Sequence, residues 1–244
     1  MSAARTDLAA RVGEPKFVRS DFLMIKDSSF IHVVLETDSL GLPRPWNAKK
    51  ENEEPEQFFR FRETYPYLLL KRLREVTPQH EVIVTNLGQR ASTMSATALK
   101  RADLLSYMEP SAAIVHHGIV DCWVRANEAR RFRVSKDEFR AFVEQVLETK
   151  AKLAPDLPLI FIGIMPTTAA MLARVPEQNE IISDYNQILR ETIADRAIFL
   201  DVERMFGHLI EQVVHLDGHH LSRTGHRLYA DELFRLLLIH GLTE

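Results

Sequence analysis

Residues 31–36 read Ile-His-Val-Val-Leu-Glu, and Thr37-Asp38-Ser39-Leu40-Gly41 follows directly. The first six are nearly continuous in hydrophobicity and rich in β-branched side chains. That pattern suits a strand buried on both faces, as in a parallel sheet. Four more runs share it: EVIVT at 81–85, AAIVHH at 112–117, PLIFIGI at 158–164 and AIFLD at 197–201. Between them, apolar residues recur at helical spacing. Phe58, Phe61, Tyr65, Leu68, Leu69 and Leu73 form one stripe over 58–75. Phe139, Phe142, Val143, Val146, Leu147 and Leu153 form another over 136–153, and segments 178–194 and 223–239 repeat the pattern. Strand–helix alternation implies right-handed crossovers and a sheet covered on both faces. The expected fold is a three-layer α/β/α, flavodoxin-like domain on a five-stranded, mainly parallel sheet.

Composition narrows the field. The chain has 244 residues, 45% hydrophobic and 27% charged. One α/β domain spanning 1–244 accounts for this length, with an N-terminal extension over about 1–28. With 31 Lys+Arg against 34 Asp+Glu, the basic excess of a nucleic-acid footprint is absent. The single cysteine, Cys122, excludes an internal disulfide framework and a multi-cysteine zinc site. No apolar run approaches the ~20 residues needed to span a bilayer. The opening stretch MSAARTDLAARVGEPK lacks the apolar segment of a secretory signal, so the expected location is cytoplasmic. Nothing in the sequence sets an oligomeric state. Residues 41–57, GLPRPWNAKKENEEPEQ, are polar, hold three prolines and show no apolar period. They are read as a mobile loop at the carboxyl end of the first strand, where open α/β sheets bind ligands.

Several familiar motifs are missing. The chain has no G-x-S-x-G elbow, no G-x-x-x-x-G-K-[ST] phosphate loop, no G-x-G-x-x-G and no H-E-x-x-H. What remains is a set of polar residues at the ends of the expected strands. Ser39 follows the first strand, placed as a nucleophile presented to a crevice. Asn86-Leu87-Gly88 follows the second, where a glycine brings backbone N–H close to a ligand. His116-His117-Gly118-Ile119-Val120-Asp121 ends the third. Asp217-Gly218-His219-His220 precedes the last helix. An aspartate three residues before a histidine can set its carboxylate against Nδ1, leaving Nε2 for a serine hydroxyl. Each signal has a plainer reading, as a turn or helix cap. Their joint occurrence at successive strand ends favours the chemical one.

In these blocks the sequence resembles the SGNH, or GDSL-like, hydrolase superfamily over roughly residues 30–238. Thr37-Asp38-Ser39-Leu40 matches the block that carries the nucleophilic serine, with threonine where glycine is usual. Gly88 matches the oxyanion-hole glycine after the second strand. Gly118-Ile119-Val120-Asp121 matches Gly-x-Asn-Asp, except that Val120 replaces an asparagine that donates one oxyanion hydrogen bond. Asp217 and His220 match Asp-x-x-His, and Leu221–His226 resembles the family's approach to its final helix.

The resemblance implies a serine esterase of the SGNH fold with Ser39, Asp217 and His220 as catalytic residues. Ser39 and Gly88 N–H groups would form the oxyanion hole, and no cofactor or metal is implied. The expected substrate is an O-acylated carbohydrate or similar small ester. An acyltransferase using the same site, or a non-catalytic ligand-binding domain of this architecture, is the alternative. His117, Arg44, Trp46 and Arg90 are candidate substrate-binding residues, with Arg125 on a neighbouring loop. Asp38 is read as a turn cap, Asp121 as a carboxylate tying loop N–H groups, and Cys122 as a small buried residue. His116, His117, Asp217, His219 and His220 could in principle ligate a metal, but no established ligand spacing appears.

Overall fold

The computed structural model describes residues 30–44, 58–103, 107–124 and 132–240. Its elements alternate along the chain. Strand β1 (Phe30–Thr37) is followed by helix α1 (Tyr65–Val76), β2 (Glu81–Asn86), α2 (Met94–Lys100), β3 (Ala112–His116), α3 (Ile119–Cys122) and α4 (Lys136–Leu153). Then come β4 (Leu159–Ile162), α5 (Ala169–Leu172), α6 (Gln178–Ile193), β5 (Ile198–Leu200), α7 (Val202–Phe206), α8 (Ile210–Val213) and α9 (Arg223–Ile239). The strands form one sheet in the order β2-β1-β3-β4-β5. Every pairing is parallel. Successive connections therefore run in opposite directions on either side of β1, and a crevice opens at the carboxyl ends of β1 and β3. None of the described helices is long and apolar enough to cross a membrane.

The alternation of side chains along each strand creates two cores. Val33 and Leu35 of β1 and Ile114 of β3 face Leu69 and Leu73 of α1 and Tyr229 and Leu233 of α9. Ala113 and Val115 of β3 face the other way, onto Met94 and Ala98 of α2, Phe139 and Val143 of α4, and Ile182 and Leu189 of α6. The long helices start where their sequences provide caps. Ser135 accepts from the Glu138 N–H while Glu138 returns to the Ser135 backbone, a capping box that opens α4. Ser222 accepts from the Gly225 N–H and opens α9.

One helix starts later than its apolar spacing predicts. Residues 58–75 read as one stripe, yet α1 begins at Tyr65, after a 3₁₀ turn over Phe61–Glu63. Pro66 sits in the first turn of α1. Further inside a helix its ring would clash with the carbonyl four residues back, so the helix cannot extend past it toward residue 58. In consequence Phe61 is 57% exposed, and Phe59, outside the expected stripe, is 1% exposed. The N-terminal extension and most of the 41–57 loop lie outside the described residues. At the near end of that loop, Arg44 pairs with Phe59 in an isolated antiparallel bridge.

Candidate active site

Ser39 is the first residue of a 3₁₀ turn, Ser39–Gly41, that caps the carboxyl end of β1. Asp38 holds this turn: its Oδ1 accepts the Leu40 N–H at 2.8 Å. The side chain of Asp38 is fully buried, and burial pushes its carboxyl up to about 8, with the Asp121 charge acting in the same direction. Thr37 stands where a glycine would leave space. Its Oγ1 fills that space, and a Cβ on Gly41 or on Gly88 would meet it at 2.4 Å or 2.7 Å. The two glycines thus make room for the threonine side chain.

Asp217 and His220 come from a loop pinched shut at its base. Val214 and Leu221 form an antiparallel bridge, and the His215 N–H donates to the His220 carbonyl at 2.7 Å. Gly218 turns the tip at φ +86, a conformation that favours glycine. The Asp217 carboxylate is saturated. Oδ1 accepts the backbone N–H of His220 (3.0 Å) and of His219 (3.3 Å). Oδ2 takes His220 Nδ1 at 2.9 Å and the guanidinium of Arg44. Burial opposes ionisation of Asp217, but the hydrogen bond from His220 and the nearby imidazoles outweigh it and hold the carboxyl well below its usual range. On the other side of the ring, His220 Nε2 lies 3.0 Å from Ser39 Oγ. A serine, an imidazole and a carboxylate, 181 residues apart in sequence at the serine–histidine contact, form one hydrogen-bonded relay.

The whole chain between residues 52 and 228 matches the model of the GDSL-like lipase/acylhydrolase family. The chain belongs to the GDSL-like lipase/acylhydrolase family. Solved structures of similar shape are remote in sequence. A lipase/acylhydrolase from Enterococcus faecalis superposes with a TM-score of 0.62 at 17% identity, covering 85% of this chain and 95% of that one. An acetyl xylan esterase from Geobacillus stearothermophilus gives 0.64 at 14% identity, over 88% and 96%. An alpha/beta hydrolase enzyme from the metagenome of Lake Arreo, Spain, gives 0.64 at 17%, over 88% and 96%. No curated protein matches the chain by sequence.

Other expected residues of this GDSL-like protein fall in different places. The Gly88 N–H is not free to meet a ligand: it donates to Asn86 Oδ1 at 2.9 Å. The Asn86 amide in turn donates to the Gly41 carbonyl at 2.8 Å, so it ties the serine turn to the loop after β2. In that loop the N–H groups of Leu87, Gln89 and Ser92 are likewise spent, on Leu35, Thr37 and Gln89 carbonyls. Among the described residues, the Arg90 and Ala91 N–H groups meet no acceptor, and Ala91 is held at φ 57, which costs a non-glycine residue about 1–2 kcal/mol. Neither Ala91 nor Asn86 stands out from composition; Asn-x-Gly after a strand is the turn signature that marks the latter.

His117 is corrected. It is 2% exposed, in a buried setting that, with the charge of Arg101, pushes its imidazole down to about 3. His116, the residue before it and the last of β3, has Nδ1 2.9 Å from the Tyr65 hydroxyl. Arg44 meets Asp217 rather than open solvent. Arg90 is exposed and donates to the Pro43 carbonyl at 3.2 Å. Trp46 and Arg125 lie outside the described residues. Asp121 accepts the Met94 N–H at 3.0 Å, at the start of α2. Val120 packs against the α4 side core. An aromatic residue not singled out by sequence, Trp123, lies 4.7 Å ring to ring from His219.

Asp217, His219 and His220 offer ligand atoms within 4.8 Å of one another, and neither His116 nor His117 belongs to that group. A cation there would compete with the Arg44 guanidinium for Asp217 Oδ2 and with Ser39 for His220 Nε2. Asp217 and His220 are engaged with each other and with Ser39 and Arg44, and His219 Nδ1 lies 3.2 Å from the Asp217 carbonyl.

Proposed function

We propose that the protein is a serine ester hydrolase that removes a small acyl group, such as acetyl, from a carbohydrate or similar small ester. The observation that carries the reading is the relay itself: Ser39 Oγ to His220 Nε2 at 3.0 Å, and His220 Nδ1 to Asp217 Oδ2 at 2.9 Å. In this scheme His220 Nε2 takes the serine proton as Ser39 Oγ bonds to the ester carbonyl carbon. Asp217 holds the ring tautomer and stabilises the imidazolium. The tetrahedral intermediate collapses, and the alcohol leaves with the proton from His220. Water, deprotonated by His220, then attacks the acyl-Ser39 and frees the acid. The Ser39 N–H is the backbone donor assigned to the oxyanion, since the Gly88 N–H is engaged by Asn86 Oδ1. An acetyl xylan esterase among the structures of similar shape supports the choice of a short acyl group on a carbohydrate.

A second reading is a non-catalytic ligand-binding domain of the same family. Val120, which has no side-chain donor, and the engaged Gly88 N–H favour it, because removing one oxyanion donor typically costs about 10²–10³ in rate. One experiment separates the two. The wild-type protein should give a burst of p-nitrophenol from p-nitrophenyl acetate and label with a fluorophosphonate on Ser39. Ser39→Ala, replacing a half-buried hydroxyl at the surface of the turn, should keep the fold by circular dichroism and lose both signals. Equal activity in the folded variant would remove Ser39 from the chemistry, and silence of the wild type would favour the binding domain.

A further inference from the structure

Arg44 is the least expected member of the relay. Its guanidinium bonds Asp217 Oδ2, the same oxygen that takes His220 Nδ1. The pair is largely sheltered, with the two side chains 22% and 20% exposed. The arginine backbone is also built in. Arg44 and Phe59 exchange N–H to carbonyl bonds of 3.0 Å in both directions. Phe59 is 1% exposed and lies edge-on to the rings of His215 at 6.1 Å and His226 at 5.5 Å. His215 Nδ1 in turn accepts the Asp217 N–H at 3.3 Å. The arginine and the aspartate are thus two ends of one buried scaffold, which sets the guanidinium against the carboxylate before any ligand arrives.

A cation on that oxygen has two physical consequences. It fixes the carboxylate plane, so that Oδ2 stays in line with Nδ1. It also offsets part of the negative charge that would otherwise favour a protonated imidazole. We propose that Arg44 is a positioning residue for the relay, acting through Asp217 to orient His220 and to keep its ring unprotonated at lower pH. The inference rests on the serine-hydrolase reading above. Among the described residues, the charged and titratable groups around His220 are Asp217 and His219 on its own loop, Arg44 on the segment after β1, and His226 on α9. His215 stands behind Asp217. Arg44 is the permanent cation among them, so its removal has a defined sign.

The test is the pH profile of kcat/KM for p-nitrophenyl acetate, with fluorophosphonate labelling of Ser39 as a substrate-independent check, on wild type, Arg44→Gln and Arg44→Lys. Arg44→Gln should move the acidic limb upward by about one pH unit, the size of a unit charge removed at this range in a partly screened site. On the alkaline plateau kcat should fall about tenfold, from lost alignment, with KM little changed. Arg44→Lys keeps the charge and should return the limb toward wild type. Arg44→Met, of similar length, replaces Arg44→Gln if that variant does not fold. A folded Gln or Met variant with an unmoved limb overturns the proposal, as does a Lys variant whose limb shifts as far as theirs. A wild type that neither turns over nor labels sinks the hydrolase reading, and this inference with it; a labelled wild type beside an unmoved variant sinks the inference alone.

Discussion

Val120 is a single side chain with a measurable consequence. It is half-buried against the α4 side core, in the short helix α3 that follows β3. The corresponding position in the family block supplies an amide donor, and a methyl group cannot. Under the proposed chemistry, Val120→Asn should raise kcat on p-nitrophenyl acetate by at least tenfold, part of the 10²–10³ that one donor typically contributes. A folded variant with unchanged kcat would mean that the oxyanion is met fully by backbone N–H groups. The neighbouring Thr37 shows the same logic in reverse. A residue larger than the family's is accepted because Gly41 and Gly88 each lack the Cβ that would collide with its hydroxyl. The asparagine–glycine turn then uses the Gly88 N–H internally.

At the scale of elements, the loops between strands and helices are held by buried amides and carboxylates. Asn186 is the clearest case. It is fully buried in α6 and clamps the end of β4: its Oδ1 accepts the Ile164 N–H at 2.7 Å and its Nδ2 donates to the Ile164 carbonyl at 2.8 Å. The same Nδ2 reaches Glu203 at 3.0 Å, linking α6 to α7. Asn186→Ala strands two buried backbone groups, each costing about 1–3 kcal/mol. The urea midpoint of unfolding should therefore drop by an amount equivalent to about 2–6 kcal/mol. A loss below about 0.5 kcal/mol, the range of an ordinary surface substitution, would show that water replaces the clamp without cost. The start of α1 at Tyr65 makes a related point. Apolar spacing over 58–75 is satisfied by either one helix or a turn and a helix, and Pro66 selects the second.

For the whole molecule, buried ionisable groups at the carboxyl edge of the sheet set how stability depends on pH. Burial pushes His116, His117 and His226 down to about 3. Each binds fewer protons folded than unfolded between about 3 and 6.5, so stability rises with pH through that window. Burial pushes Glu36 up to about 7, against the opposing charge of Arg101, and Asp38 up to about 8. Their contribution has the opposite sign: it is complete below the unfolded carboxylate range and is lost as pH rises to the folded value. At about pH 6.5 the unfolded histidines are still half charged; from about pH 7 upward the carboxyls outweigh them and set the slope. The urea midpoint should fall from pH 7 to 8, by up to about 1.4 kcal/mol per pH unit for each net proton involved. Asp38→Asn keeps an acceptor for the Leu40 N–H and removes the titration, so its profile should be nearly flat between pH 7 and 8. A wild type that is equally flat would place the Asp38 carboxylate in its ionised form throughout.

Local pattern was enough for the architecture. Continuous β-branched runs and 3.6-residue apolar stripes are properties of neighbouring residues, and burial on two faces of a parallel sheet leaves that mark wherever it occurs. The short helices α2, α3, α5, α7 and α8 left none, because a turn or two of helix is too brief for a period. The blocks around Ser39, Asp217 and His220 were equally readable as residues. Their meeting was not, since a 3.0 Å contact across 181 positions is made by the β1 turn and the pinched 215–220 loop together. The same holds for Arg44, Gly88 and His117. A side chain's charge, size and hydrogen-bonding atoms are written in the chain, but which partner takes them depends on what the fold brings within three ångströms. So the arginine went to the aspartate, the glycine N–H to an asparagine, and the histidine to the interior.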